Sequence, residues 1–220
     1  MRSKLELLRE ENSRKIEAEI KKLDIVTYET VSELIPRLLA EGQLTLDHTA
    51  YVPADITSKF GVGRYLVYEH SDKDNPISIW TFAFASRQET CIHDHKYKGT
   101  VTVLNGPISE KYYKPLSDGP ARLIKRTDRY SFHCNRDPLV DDGMFVHQLK
   151  RRKEFDPNEI GVTLHVYNME ARLTNPDGKE QDQRNLRTAY SKFKIFDKSI
   201  PGPAYEKEEY SAETTPSALK

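Results

Sequence analysis

Between Tyr65 and Tyr167 the chain is cut into short β-prone runs separated by turn residues, and this constrains the fold more than any other feature. The runs are residues 65–68, 77–82, 99–104, 108–113, 121–125, 130–133, 144–149 and 161–167, rich in Val, Ile, Thr, Tyr and Phe. Ser71-Asp72-Lys73-Asp74-Asn75-Pro76 and Asn105-Gly106-Pro107 are turn chemistry. Many short strands at near-regular spacing argue for an all-β sandwich or barrel rather than a parallel α/β sheet. Residues 190–196 also alternate and add a late strand.

Ahead of this region the texture is helical. Residues 3–23 hold Leu5, Leu8, Ile16, Ile20 and Leu23 near helical spacing, without Pro or Gly. Residues 28–41 carry a stripe of Val31, Leu34, Ile35, Leu38 and Leu39, and Gly42 is placed to stop that helix. The expected organisation is a helical segment over 1–45 packed on the barrel, a barrel over 46–198, and a tail over 199–220. The tail is rich in Pro, Glu, Lys, Ser and Thr.

Charge narrows the partners. The chain has 220 residues with 34 Lys+Arg and 34 Asp+Glu, so no global field draws it to nucleic acid or to an anionic membrane. No apolar run is long enough to span a bilayer, and the charged start lacks the apolar core of a secretory signal. Cys91 and Cys134 form no framework of pairs, so both are expected to be reduced thiols in a cytoplasmic protein. The partners expected are small molecules, and the protein is expected to be a monomer or a homodimer.

Five histidines lie in or beside the β region: His93, His95, His133, His147 and His165. Taken singly, each reads as an ordinary strand histidine. His93-Asp94-His95 differs, because on an extended strand residues i and i+2 share a face. Two imidazoles would then converge on one divalent metal, and imidazole suits Fe, Zn, Cu and Ni. Thr163, His165 and Tyr167 share a face by the same alternation.

The chain resembles the cupins over roughly residues 60–170, and within them the thiol dioxygenases typified by cysteine dioxygenase. The match rests on His93-Asp94-His95, then Gly99, then Gly106, with Gly143-Met144-Phe145-Val146-His147 as the later motif. Gly99 stands where most cupins place a glutamate ligand, and the thiol dioxygenases lack that carboxylate. In the animal enzymes a Cys cross-linked to a Tyr occupies this place; Gly, as in many bacterial relatives, implies no cross-link. The resemblance implies a mainly β fold, the cupin double-stranded β-helix or jelly-roll barrel with N-terminal α-helices. It implies Fe(II) held by His93, His95 and His147. Thr163-Leu164-His165-Val166-Tyr167 resembles the family's outer Ser–His–Tyr relay, which makes Thr163, His165 and Tyr167 the expected catalytic residues. Gly61-Val62-Gly63-Arg64-Tyr65 resembles the segment with the substrate-binding arginine. Arg64 would fork onto a carboxylate, with Tyr167 also touching substrate. The implied activity is oxidation of L-cysteine by O2 to cysteine sulfinic acid, as part of cysteine metabolism.

Three positions depart from the family pattern: Val62 replaces a usual Tyr, Arg151 a usual Asn, and Asn168-Met169-Glu170 a usual Ser-Pro-Pro. Arg151 lies in the basic run Lys150-Arg151-Arg152-Lys153, which is either a solvated face or a second anion contact near the pocket mouth. Three alternatives stay open: a dioxygenase for another thiol acid such as 3-mercaptopropionate, a cupin metalloenzyme with different chemistry, and a cupin acting as a ligand sensor.

Overall fold

The computed structural model describes residues 2–70, 72, 74–90, 93–94, 97–115, 121–135, 146–154, 156, 158–171, 192–195 and 204–208. Two helices come first, α1 (Lys4–Ile20) and α2 (Tyr28–Ala40). Each starts on a capping box, Ser3 with Glu6 and Thr27 with Thr30, which satisfies backbone N–H groups that a helix start leaves unpaired. α2 ends at Gly42, whose φ of +70° continues the chain in the left-handed region.

Ten strands follow. They are β1 (Gly63–His70), β2 (Ile77–Phe84), β3 (His93–Asp94), β4 (Gly99–Asn105), β5 (Ile108–Pro115), β6 (Ala121–Arg129), β7 (Val146–Lys150), β8 (Gly161–Tyr167), β9 (Lys192–Ile195) and β10 (Ala204–Glu208). One antiparallel sheet has the order β1-β2-β8-β4, and a bridge from Thr102 to Cys134 extends it past β4. The second runs β6-β5-β7-β3, with β9 and β10 closing it on itself. From β2 to β8, counting the segment at Cys134, the chain alternates between the two sheets except at the β5–β6 hairpin, which is a double-sheet jelly-roll order. The expected mainly β barrel with N-terminal helices is the fold observed.

Alternation gives the first sheet two different faces. Ile77, Ile79, Ala83, Val162, Leu164 and Val166 pack against Ile16, Ile20, Val31 and Ile35 of the helices. The opposite parity points into the barrel, where Phe84, Val101 and Val103 meet Ile108 of β5 and Leu149 of β7. The barrel interior is therefore lined by residues of known parity from both sheets.

Two segments differ from expectation. Tyr130–His133, read as a strand, is a turn: His133 N–H donates to Tyr130 O and Phe132 sits at φ +66°, a conformation incompatible with a ladder. β6 instead runs on to Arg129. Residues 204–208, expected in the tail, form β10, which pairs with β9 and β6. The late strand expected at 190–196 is described as β9. Among the described residues no helix is long and apolar enough to cross a membrane.

Candidate active site

Two groups of buried polar side chains face the barrel interior. The first stands on β8. Thr163 Oγ1 lies 2.8 Å from His165 Nε2, and the Tyr167 hydroxyl lies 2.8 Å from His165 Nδ1. All three residues are buried. A neutral imidazole has one N–H and one lone pair, so it donates to one hydroxyl and accepts from the other. Burial pushes the Tyr167 phenol well above its usual pKa; Tyr97 adds to the rise and Arg64 opposes it. The phenol is thus held protonated, as a hydrogen-bond donor.

The neighbours fix this strand's side chains. The Phe82 ring lies 4.1 Å from the His165 ring at 30°, and Trp80 is in register with His165. The Arg64 guanidinium lies 5.6 Å from the Phe82 ring centre. Arg64 also pairs in register with Phe82, so the arginine and the β8 trio belong to one neighbourhood. Gly99 is in register with Tyr167. A Cβ there would fall 2.7 Å from Tyr167 Cδ1, so the tyrosine ring occupies the space any side chain at 99 would need. Tyr97 packs edge-on against Tyr167 at 5.1 Å.

The second group is centred on β5 and β7. His147 is in register with His93 of β3 and with Tyr112 of β5. Its Nδ1 lies 3.0 Å from Glu110 Oε1. Arg129 Nε donates to Glu110 Oε2 at 2.8 Å, and Asn135 Nδ2 donates to Oε1 at 3.0 Å. Arg129 also donates to the Tyr112 hydroxyl at 3.0 Å, and Asn135 Oδ1 accepts the Val101 N–H at 2.6 Å. Glu110 is 0% exposed. Burial alone would raise its carboxyl, but the hydrogen bond and charge of His147, joined by Arg129, overcome that and hold it down at about 2. Burial, then the Glu110 charge, pushes the Tyr112 phenol upward.

Glu110, Arg129 and Asn135 do not stand out in the sequence. The available signal was parity: in the run 108–113, a carboxylate at 110 shares a face with the core residues Ile108 and Tyr112. The two groups are coupled through space, because the Glu110 and Arg64 charges both act on the Tyr167 phenol.

The histidines expected to bind metal are unevenly described. His93 is placed in the backbone of β3, directly opposite His147, whereas His95 lies outside the described residues, as does Cys91. Among the described residues no group of three His, Cys, Asp or Glu side chains could hold a metal; the expected trio requires His95. His147 itself fits a ligand's environment. A metal-binding imidazole characteristically turns its other ring nitrogen to a carboxylate, which fixes its tautomer and raises its basicity. With Nδ1 turned to Glu110, Nε2 is the nitrogen this ring would present.

His133 stands exposed in the turn after β6, edge-on to Tyr130. Val62 is buried in the interior apolar cluster. The basic run divides by parity. Arg151 is 0% exposed, donating to Pro107 O at 2.7 Å and to Glu159 at 3.0 Å. It braces the corner between β7 and β5, while Lys150, Arg152 and Lys153 face outward to a separate cleft.

No protein-family profile matches the sequence, and no curated protein matches it. Among solved structures, a cupin-2 domain protein from Rhodospirillum rubrum is similar at 10% identity and a TM-score of 0.31, over 58% of this chain and 67% of that one. A cupin 2 conserved barrel domain protein from Rhodopseudomonas palustris gives 14% and 0.36, over 59% and 79%. A recombinant oxalate oxidase in complex with glycolate gives 13% and 0.36, over 59% of this chain and 64% of its own length. The jelly-roll assignment rests on the strand order of the chain itself.

Proposed function

We propose that the barrel interior is the site of an Fe(II)-dependent thiol dioxygenase of cysteine dioxygenase type, which oxidises L-cysteine with O2 to cysteine sulfinic acid. The observation that carries the reading is the hydrogen-bonded chain Thr163–His165–Tyr167, with Gly99 packed under the tyrosine ring. His93, His95 and His147 would hold the iron, which supplies the activation of O2 toward a thiolate sulfur. Three neutral imidazoles leave the metal more cationic than a carboxylate set would, which favours a thiolate.

The chain's own residues bind, orient and move protons. Arg64 would take the substrate carboxylate in a two-pronged hydrogen bond. Its position beside Phe82, within electrostatic reach of Tyr167, sets the spacing between carboxylate and phenol. Tyr167 would donate its O–H to the bound substrate or to oxygen developing negative charge. His165 Nδ1–H can donate to the phenol oxygen while Nε2 accepts from Thr163, or the order can reverse. In the first order the Tyr167 O–H stays free to be donated to substrate, whereas in the second it is spent on Nδ1. Glu110 would hold His147 in the tautomer that presents Nε2. Both atoms of O2 end on sulfur and the thiol becomes a sulfinic acid, so no further reductant is needed.

The experiment is oxygen uptake by Fe(II)-loaded protein with L-cysteine and, separately, 3-mercaptopropionate. The reading expects uptake with L-cysteine and one sulfinate formed per O2 consumed. Preference for 3-mercaptopropionate would overturn the substrate assignment. No uptake with either thiol, with iron bound, would overturn the reaction.

A further inference from the structure

The outer face of the second sheet carries a feature that the interior site does not use. Parity that sends Ile108, Glu110, His147 and Leu149 inward sends Ser109, Lys111 and Lys150 outward. With Arg126 of β6, these residues floor a cleft of about 800 Å³. Register places Ser109 opposite Lys150 and Lys111 opposite Arg126. Lys59, Arg87, Arg152 and Lys153 form its rim. Seven cationic side chains therefore surround one cleft in a chain whose charges balance overall. Among the described residues, Glu89 pairs with Lys59 and Lys150, Asp128 with Arg126 and Arg152, and Glu154 with Arg152. Of the described residues lining the cleft, seven are cationic and one, Glu154, is acidic, and the low-dielectric walls of a concave space focus such a field.

The walls are built. Gln88 is buried, and its Nε2 donates to Asp55 O at 2.6 Å and Ser58 O at 3.0 Å, while its Oε1 accepts the Ala85 N–H at 2.8 Å. That one side chain ties the 55–58 loop to the 85–88 turn. Arg87, at the crest of the turn, has φ +70°. A non-glycine residue in this region is uncommon and concentrates at ligand clamps. Hydroxyls of Thr57, Ser58 and Ser86 line the same space.

We propose that this cleft is a binding site for a compact, multiply phosphorylated small molecule. The mixture of guanidinium forks, lysine point charges and hydroxyl donors suits several phosphate groups held close together. Among the described residues no aromatic ring lines the cleft, so these residues offer no stacking platform of the kind by which single-stranded nucleic acid is held.

The test is calorimetric titration of the full-length protein with inorganic tripolyphosphate at about 0.15 M salt, beside the Lys111→Gln/Arg126→Gln variant. His147→Ala is a further arm, because it removes an interior iron ligand and so separates cleft binding from chelation of metal. Saturable one-to-one binding, unchanged in His147→Ala and about tenfold weaker in the double variant, is the expected result. Should the double variant melt early, Lys153→Gln on the exposed rim replaces it, with a smaller loss expected. Absence of saturable binding, equal affinity in the cleft variants, loss of binding in His147→Ala, or tighter binding of an oligothymidylate than of tripolyphosphate would each overturn the proposal.

Discussion

Among the described side chains, the barrel interior holds two buried histidines with opposite partners. His165 lies between two hydroxyls, Thr163 and Tyr167. His147 is held by one carboxylate, Glu110, which is itself held by Arg129 and Asn135. Hydroxyls can both donate and accept, so either tautomer of the first imidazole is satisfied once the two O–H bonds rotate to match it. An ionised carboxylate only accepts, so the second keeps its proton on Nδ1. One histidine is built to pass a proton and the other to keep one in place, which suits a relay and a ligand respectively.

The largest effect should come from the fixed histidine. His147→Ala is expected to lose bound iron and thiol-dependent oxygen uptake together, read by metal analysis and an oxygen electrode; unchanged turnover would sink the assignment. Its partner sharpens the contrast. Glu110→Ala strands the Arg129 charge in the interior and should cost about 3–5 kcal/mol in chemical denaturation. Glu110→Gln keeps the shape and should instead weaken iron binding about 10- to 100-fold. If both substitutions lower stability alike and leave iron affinity untouched, Glu110 is a packing residue only.

The relay should respond differently. Tyr167→Phe removes the O–H but keeps the ring against Tyr97 and Gly99, so iron content should hold while turnover falls about 10²- to 10⁴-fold. A Tyr167→Phe protein as active as the parent would remove the phenol from the chemistry. Gly99→Ala attacks the same ring sterically. Its methyl group would lie 2.7 Å from Tyr167 Cδ1, and the enforced shift should cost about 1–3 kcal/mol in stability as well as turnover.

The smallest effect is set by Glu89 on the outer face, buried between Lys59 and Lys150. Burial would raise this carboxyl, but the hydrogen bonds and charges of Lys150 and Lys59 lower it below its usual 4.5. A carboxyl lowered in the folded state adds stability above its unfolded pKa and loses it as pH falls through the folded value. Glu89→Gln should therefore flatten the stability profile below about pH 4.5. The contribution lost is on the order of 1 kcal/mol, since both lysines are partly exposed. Thermal melts of the two proteins between neutral pH and pH 3 read this directly.

Much of the fold was legible because alternation and turn chemistry are local signals. The helix starts at Ser3 and Thr27, the stop at Gly42 and the strand through Tyr167 all follow from short-range rules. The trio Thr163, His165 and Tyr167 was legible for the same reason, since a period of two needs no knowledge of neighbours. Glu110 was not, because its partners sit 19, 25 and 37 residues away and only strand pairing brings them together. Tyr130–His133 misled because β-prone aromatics gave no hint that Phe132 would adopt a left-handed conformation. Arg151 read as part of a basic run, either a solvated face or a second anion contact, yet strand parity turned it inward between Lys150 and Arg152.

The first sheet's two faces have a consequence for the first 45 residues. On β2 and β8, every second side chain grips α1 and α2, and those between them line the barrel interior. The helices therefore serve as a backing plate whose grip sets the strands' phase. A slip of one residue would exchange Thr163, His165 and Tyr167 for Leu164 and Val166 inside the barrel. Shortening the chain from its start would bare a hydrocarbon surface and unseat the strand that carries Thr163, His165 and Tyr167 in the same event, so this segment is not a detachable appendage.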